Sequence, residues 1–191
     1  MPKLGMEPIR RAALVKATIE EIGEQGSLDV TVARIARRAG MSSALAHHYF
    51  GNKERIFLAA MRHLLAEYSA EVRDALIEAQ GDPRARVAAT LRANFGPSNF
   101  RSEVVAAWLN FYVLARTSEP AARLLRIYHR RLRSNLAHDL RPLLGAGASD
   151  AAERLAALID GMYLKQGLAG GPADGPAATR QLLAALELEL K

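Results

Sequence analysis

Apolar residues recur every three or four positions along almost the whole 191-residue chain, and this period is its strongest structural constraint. Side chains at i, i+3 and i+4 line one face of a helix, whereas a half-buried strand needs strict alternation. No segment shows convincing alternation, so the spacing predicts an all-α fold. Helices are expected at about 8–25, 31–40, 42–50, 53–79, 83–95, 102–117, 119–142, 149–169 and 175–190. The breaks between them are glycine and proline punctuation: Gly26, Gly40, Gly51, Gly81-Asp82-Pro83, Phe95-Gly96-Pro97, Ser118-Glu119-Pro120, Gly145-Ala146-Gly147 and Gly170-Gly171-Pro172. In the first helix Ala12, Val15, Ile19 and Ile22 are the expected buried stripe, and in the fourth Phe57, Met61, Leu64, Leu65, Tyr68, Val72 and Leu76.

Composition removes several classes. The chain has no cysteine, so neither a disulfide framework nor thiolate chemistry is available. Met1 to Met6 holds no apolar h-region, and no apolar run approaches the roughly 18 residues that span a bilayer. The expected compartment is therefore the cytoplasm, with no membrane partner. A net charge of +6 permits a polyanion partner without requiring one. No zinc signature, phosphate loop or nucleophile motif occurs, so neither an enzyme nor a cofactor is expected. His47 and His48 point about 100° apart on a helix and make a poor metal chelate.

Thr31 to Lys53 reads TVARIARRAGMSSALAHHYFGNK, two short helices joined at Gly40. Thr31, Ser42 and Asn52 are each placed to cap a following helix. The second short helix carries small and polar side chains, which a helix entering the major groove of DNA needs for close approach and base contact. Ser42, Ser43, Ala44, His47 and His48 form that surface; Leu45, Ala46 and Phe50 hold it to the helices behind. The Tyr49 phenol and Lys53 are placed to meet phosphate. Arg34 sits in the first turn of its helix, where a cation opposes the helix dipole, and a nearby phosphate would account for it. A helical corner with solvated polar residues has the same pattern. A rival basic stripe, Arg123, Arg126, Arg130 and Arg133, lies on the helix 119–142; such stripes are more often solvated faces with ion pairs.

The segment 31–53 resembles the DNA-binding region of TetR-type regulators, in the Ile35-Ala36 pair, Gly40, Ser42 and Tyr49-Phe50 ahead of Lys53. Further stretches are similar to the members of that family that repress choline–glycine betaine genes. These are the opening Met-Pro-Lys-Leu-Gly-Met, Ile9-Arg10-Arg11, Ala107-Trp108-Leu109, Arg130-Arg131-Leu132, Ser134-Asn135-Leu136 and Ala157 to Gly161. The resemblance implies a homodimeric repressor: a DNA-reading unit at 1–53, and a helical body at 54–191 that binds an inducer and dimerises. It implies a double-stranded operator and choline as inducer, with a TetR-type regulator responding to a different small molecule as the alternative. It puts Thr31, Ser42, Ser43, Ala44, His47, Tyr49 and Lys53 at DNA-facing positions. Ala44 stands where the family usually has glycine and His47 where many relatives have tyrosine, so the preferred operator is expected to differ.

Five of the eleven aromatic residues fall within 95–112. Trp108, Phe111 and Tyr112 share one helix face. For a quaternary ammonium, aromatic faces and a carboxylate are the natural partners, since the cation cannot donate an N–H bond. Tyr163 is expected to complete such a cage, and Asp160 or Glu103 to supply the carboxylate; the same rings at this spacing equally make a core. Two apolar faces are candidates for a dimer seam through the last two helices: Leu155, Leu158, Ile159 and Met162, and Leu182, Leu183, Leu186 and Leu190. Packing of both inside one subunit, as in a helical scaffold with no DNA role, is the alternative.

Overall fold

Six helices begin on a side chain that accepts a hydrogen bond from the backbone three residues on: Thr31, Ser42, Asn52, Asp82, Ser118 and Asp174. Each such cap is worth about 1 kcal/mol. A proline in the first turn follows the last three, where its missing N–H costs nothing. In the computed structural model, which describes residues 5–191, the elements are α1 Met6–Gln25, α2 Val32–Arg38, α3 Ser43–Phe50, α4 Lys53–Glu78, α5 Pro83–Ala93, α6 Ser102–Leu114, α7 Glu119–Leu144, α8 Ala148–Leu168 and α9 Gly175–Glu189. A short 3-10 turn, Gly145–Gly147, joins α7 to α8. No strand occurs among the described residues. Met1 to Leu4, most of the opening hexapeptide, lie outside them.

The expected helices are all present, with ends shifted by a few residues. α7 continues through Pro142 to Leu144. Proline there removes one backbone donor, and the carbonyl it would have bonded belongs to the exposed His138. Gly40, at φ 68°, supplies the left-handed turn between α2 and α3.

α7 and α8 form a helical hairpin at the centre of the body. α5 fills the space between α4 and α7, and α9 closes over α8 and α5. α1 packs against α6, α4 and α2. The buried arc of α1 is therefore wider than one stripe: Leu14, Ala17, Thr18 and Glu21 are buried beside Val15, Ile19 and Ile22, while Ala12 is exposed, a correction to the expected face. Leu14, Ile22, Ile35, Ile56 and Met61 belong to the same apolar cluster as Phe111, Leu140, Leu155 and Ile159. No helix among the described residues is long and apolar enough to cross a membrane.

Candidate nucleic-acid interface and ligand site

The α2–α3 unit is held from behind by one buried acid. Glu21 of α1, with 5% of its side chain exposed, meets Arg34 Nε at 3.0 Å and Arg38 Nε at 2.6 Å. Glu20 lies 3.7 Å from Arg38, and Glu24 also bonds it. The arginine hydrogen bonds and charges hold the Glu21 carboxyl below the usual carboxylate range despite its burial. Arg38 is correspondingly held in its charged form. The clamp joins α1 to the first and last turns of α2. It also accounts for Arg34, whose opposition to the helix dipole is answered by Glu21 without a phosphate.

In front, α3 presents its polar side. Ala44, His47 and His48 are exposed, Ser43 is half-exposed and Ala46 is buried at 0%. Thr31 Oγ1 accepts from the Arg34 N–H and Ser42 Oγ from the Leu45 N–H, both at 3.2 Å. Each hydroxyl keeps its own O–H free to donate. His47 Nδ1 sits 3.1 Å from the Gly51 carbonyl. A carbonyl only accepts, so Nδ1 donates there.

Two residues to which the sequence assigned no contact join this surface. Arg10 Nη1 donates to the Tyr49 phenol at 3.4 Å, and Arg11 lies 5.6 Å over the Tyr49 ring and 5.1 Å over that of Phe50. Their adjacency at the start of α1 was the available signal. Lys53 stacks 5.4 Å over Phe57. Arg37 is exposed and forms no ion pair among the described residues. On the rival stripe, Arg126 pairs with Glu119 and Arg133 with Glu153, as expected of a solvated face.

In the body, the expected aromatic residues do meet. The Trp108 ring lies 6.2 Å from Tyr112, 6.2 Å from Phe111 and 6.3 Å from Tyr163. Its nearest partner is Tyr128, at 5.1 Å. Tyr112 donates to Asp160 Oδ1 at 2.8 Å and its ring stacks on His129. His129 Nε2 lies 3.1 Å from Asp160 Oδ2 but without the alignment of a hydrogen bond. Asp160 is about one-third exposed, at 33%. Burial, together with the Asp160 charge, pushes the Tyr112 phenol well above its ordinary range, so it stays a donor.

Other expected members have prior commitments. Phe111 is fully buried. The Tyr163 phenol donates to the carbonyls of Asn94 and Asn99, at 2.7 and 3.2 Å, and fastens the loop after α5. Glu103 is exposed and lies against Gly23 of α1, apart from the rings. Tyr128 and His129 are additional to the expected set; their partners Trp108, Tyr112 and Asp160 lie on other helices, so no local spacing marks them.

The seam residues divide. Leu155, Ile159, Leu182 and Leu186 are buried within the subunit and hold α8 and α9 together, which corrects their assignment to a seam. A different stripe stays open: Ala157, Gly161, Leu164 and Leu168 on α8, with Ala184 and Leu188 on α9.

Residues 14–60 match the tetR family of bacterial regulatory proteins, and residues 83–191 match the C-terminal domain of BetI-type transcriptional repressors. The HTH-type transcriptional regulator BetI of Brucella anthropi is 52% identical over 179 residues, covering 93% of this chain and 90% of that protein. The BetI of Rhizobium meliloti is 52% identical over 176 residues, covering 90% and 85%. Among solved structures, a transcriptional regulator from Rhodococcus sp. Rha1 aligns with TM-score 0.79 at 25% identity, over 94% of this chain and 93% of that one. A regulator from Saccharomonospora viridis, solved in complex with choline, aligns with TM-score 0.78 at 20% identity, over 93% and 95%.

Proposed function

The chain belongs to the TetR family of DNA-binding transcriptional regulators, with a BetI-type C-terminal domain, and from that premise we propose that it is a cytoplasmic, homodimeric repressor of choline uptake and glycine betaine synthesis genes, released by choline. The observation that carries the DNA half is the α3 surface, polar and exposed in front and clamped from behind by Glu21. In this reading residues 1–53 are the reading unit and 54–191 the inducer-binding body.

Ser43, Ala44, His47 and His48 face base edges in the major groove. Thr31, Ser42, Tyr49 and Lys53 contact phosphate, joined by Arg10 and Arg37. Arg34 acts first as the partner of Glu21 and reaches phosphate with the exposed 38% of its side chain. A second copy docks through the open stripes of α8 and α9, building a four-helix seam that sets the spacing of two reading helices. Gly161 supports this, since a Cβ there meets nothing within its own subunit.

Asp160 is the seat for the inducer's ammonium, with Trp108, Tyr112 and Tyr128 as aromatic walls and His129 as the group the ligand displaces. Phe111 and Tyr163 support those walls from behind. The choline complex of the Saccharomonospora viridis protein, which shares this fold, supports a small quaternary cation as the class of ligand.

The signal has a short route to the DNA. Ser118, the cap of α7, donates to Glu54 Oε1 in the first turn of α4 at 2.5 Å. α7 carries both Tyr128 and His129. Choline favours a conformer in which α7 shifts, α4 follows and the two reading helices leave register with their half-sites. The experiment is operator binding by fluorescence anisotropy at several salt concentrations, with and without choline. A steep salt slope and release by choline are expected; salt-insensitive binding without sequence preference would overturn the reading.

A further inference from the structure

We propose that the furrow between α4 and α7 is a second small-molecule site, which takes amphipathic anions, single-tailed carboxylates first among them. It does not rest on the choline reading and does not use Asp160, although Tyr128 borders both places.

The furrow holds a hollow of about 360 Å³, within the range of ligand pockets, roughly 300–1,000 Å³. Leu65 and Val72 from α4 and Ile127 and Leu132 from α7 give it an apolar strip, beside Tyr68, Ser69 and Asn135. Ile127 is 39% exposed, so its side chain is open to an occupant of the hollow. Arg73 from α4 and Arg131 from α7 line the hollow as well, and no carboxylate does. Neither arginine has an ion-pair partner among the described residues. Beyond Ile127 a second hollow of about 470 Å³ continues along the same two helices and adds Arg62 and Arg123. Its one carboxylate, Glu119, is already bonded to Arg126.

An apolar trough with four guanidinium groups along it selects a ligand by both ends. A guanidinium fork matches a carboxylate with two parallel N–H bonds. The apolar strip takes an alkyl tail, and each methylene buried should tighten binding by about fourfold until the hollow is full. A cation such as choline is repelled by the same arginines. Tyr128 forms one wall and lies 5.1 Å from Trp108, the only tryptophan, so an occupant reports on the indole. It would also touch α4 and α7 together, the two helices joined at Ser118 and Glu54.

The test is calorimetric titration of the full chain with octanoate, decanoate and the uncharged 1-octanol, with Trp108 fluorescence in parallel. Decanoate should bind about sixteenfold tighter than octanoate, and octanoate at least tenfold tighter than octanol. A double Arg73→Ala, Arg131→Ala variant should lose at least tenfold in decanoate affinity while its choline titration stays unchanged. Ile127→Glu, an exposed position, should abolish decanoate binding with the thermal midpoint preserved. No decanoate binding at millimolar concentration, equal binding of octanol and octanoate, or full affinity in the double variant overturns the proposal. Loss of choline binding alone in the wild type would sink the Asp160 seat and leave this site standing.

Discussion

Glu21 and Asp160 are each held by two groups from neighbouring helices, yet the two settings differ in kind. Glu21 is almost fully buried, and its partners Arg34 and Arg38 carry permanent charge in close, aligned bonds. Asp160 is one-third exposed, and its partners are a neutral phenol and an imidazole that approaches without a proper bond. A carboxylate with two guanidinium partners has its charge compensated by groups that cannot leave. One faced by a phenol and an unaligned imidazole has no permanent charge beside it and remains open to a cation. The first arrangement makes a clamp and the second a seat. Within one core, α1 is tied to α2 by permanent charges, whereas the proposed seat at Asp160 keeps a contact a ligand can replace.

Breaking the clamp should have the largest effect. Glu21→Ala removes a buried acceptor from two arginines that stay partly solvated and should cost about 2 kcal/mol, a fall in Tm of roughly 4–8 °C for a chain of this size. Calorimetry measures it. Because the Glu21 pKa is lowered on folding, its contribution is fully present above the ordinary carboxylate range and is lost as pH falls through the depressed value. The variant should therefore show a flatter acid limb than the wild type; parallel limbs would show that Glu21 is no clamp.

Emptying the seat comes next. Asp160→Asn keeps the shape and an acceptor for Tyr112 but removes the charge. Choline affinity should fall about tenfold, about 1.4 kcal/mol, with Tm little changed; calorimetric titration decides. Equal affinity would move the seat elsewhere. Ser118→Ala should leave choline binding intact and weaken release, separating the seat from the route. Anisotropy with choline should show a several-fold higher concentration needed for release, in line with a coupling of about 1 kcal/mol. Lys53→Ala is the smallest effect. Stability should hold, and the salt slope of operator binding should drop by about 1.

The helices and their boundaries were legible because their signals are local. Thr31, Ser42 and Asn52 cap the helices they precede, and Gly40 turns where a left-handed residue is needed. The exposed face of α3 followed from the same short stretch. Partners brought together from distant positions were not legible. Nothing near Glu21 in sequence says that α2 will bury it, and the same contact changed the meaning of Arg34. Ala12 was misplaced because α1 serves several neighbours, so its buried arc exceeds one stripe. Tyr128 and His129 needed α7 to be laid against α6 and α8 before their rings met Trp108, Tyr112 and Asp160. Leu155 and Leu182 had the right chemistry for a seam, and only packing shows that their own subunit consumes it.

The most direct test follows one labelled operator fragment, taken from beside choline-oxidation genes, by anisotropy as choline is added to a preformed complex. A complex of two chains per site should fall apart over a saturable choline range, with Asp160→Asn shifted about tenfold to higher concentration. A complex that holds through millimolar choline, or that forms with a single chain, would contradict the proposed function.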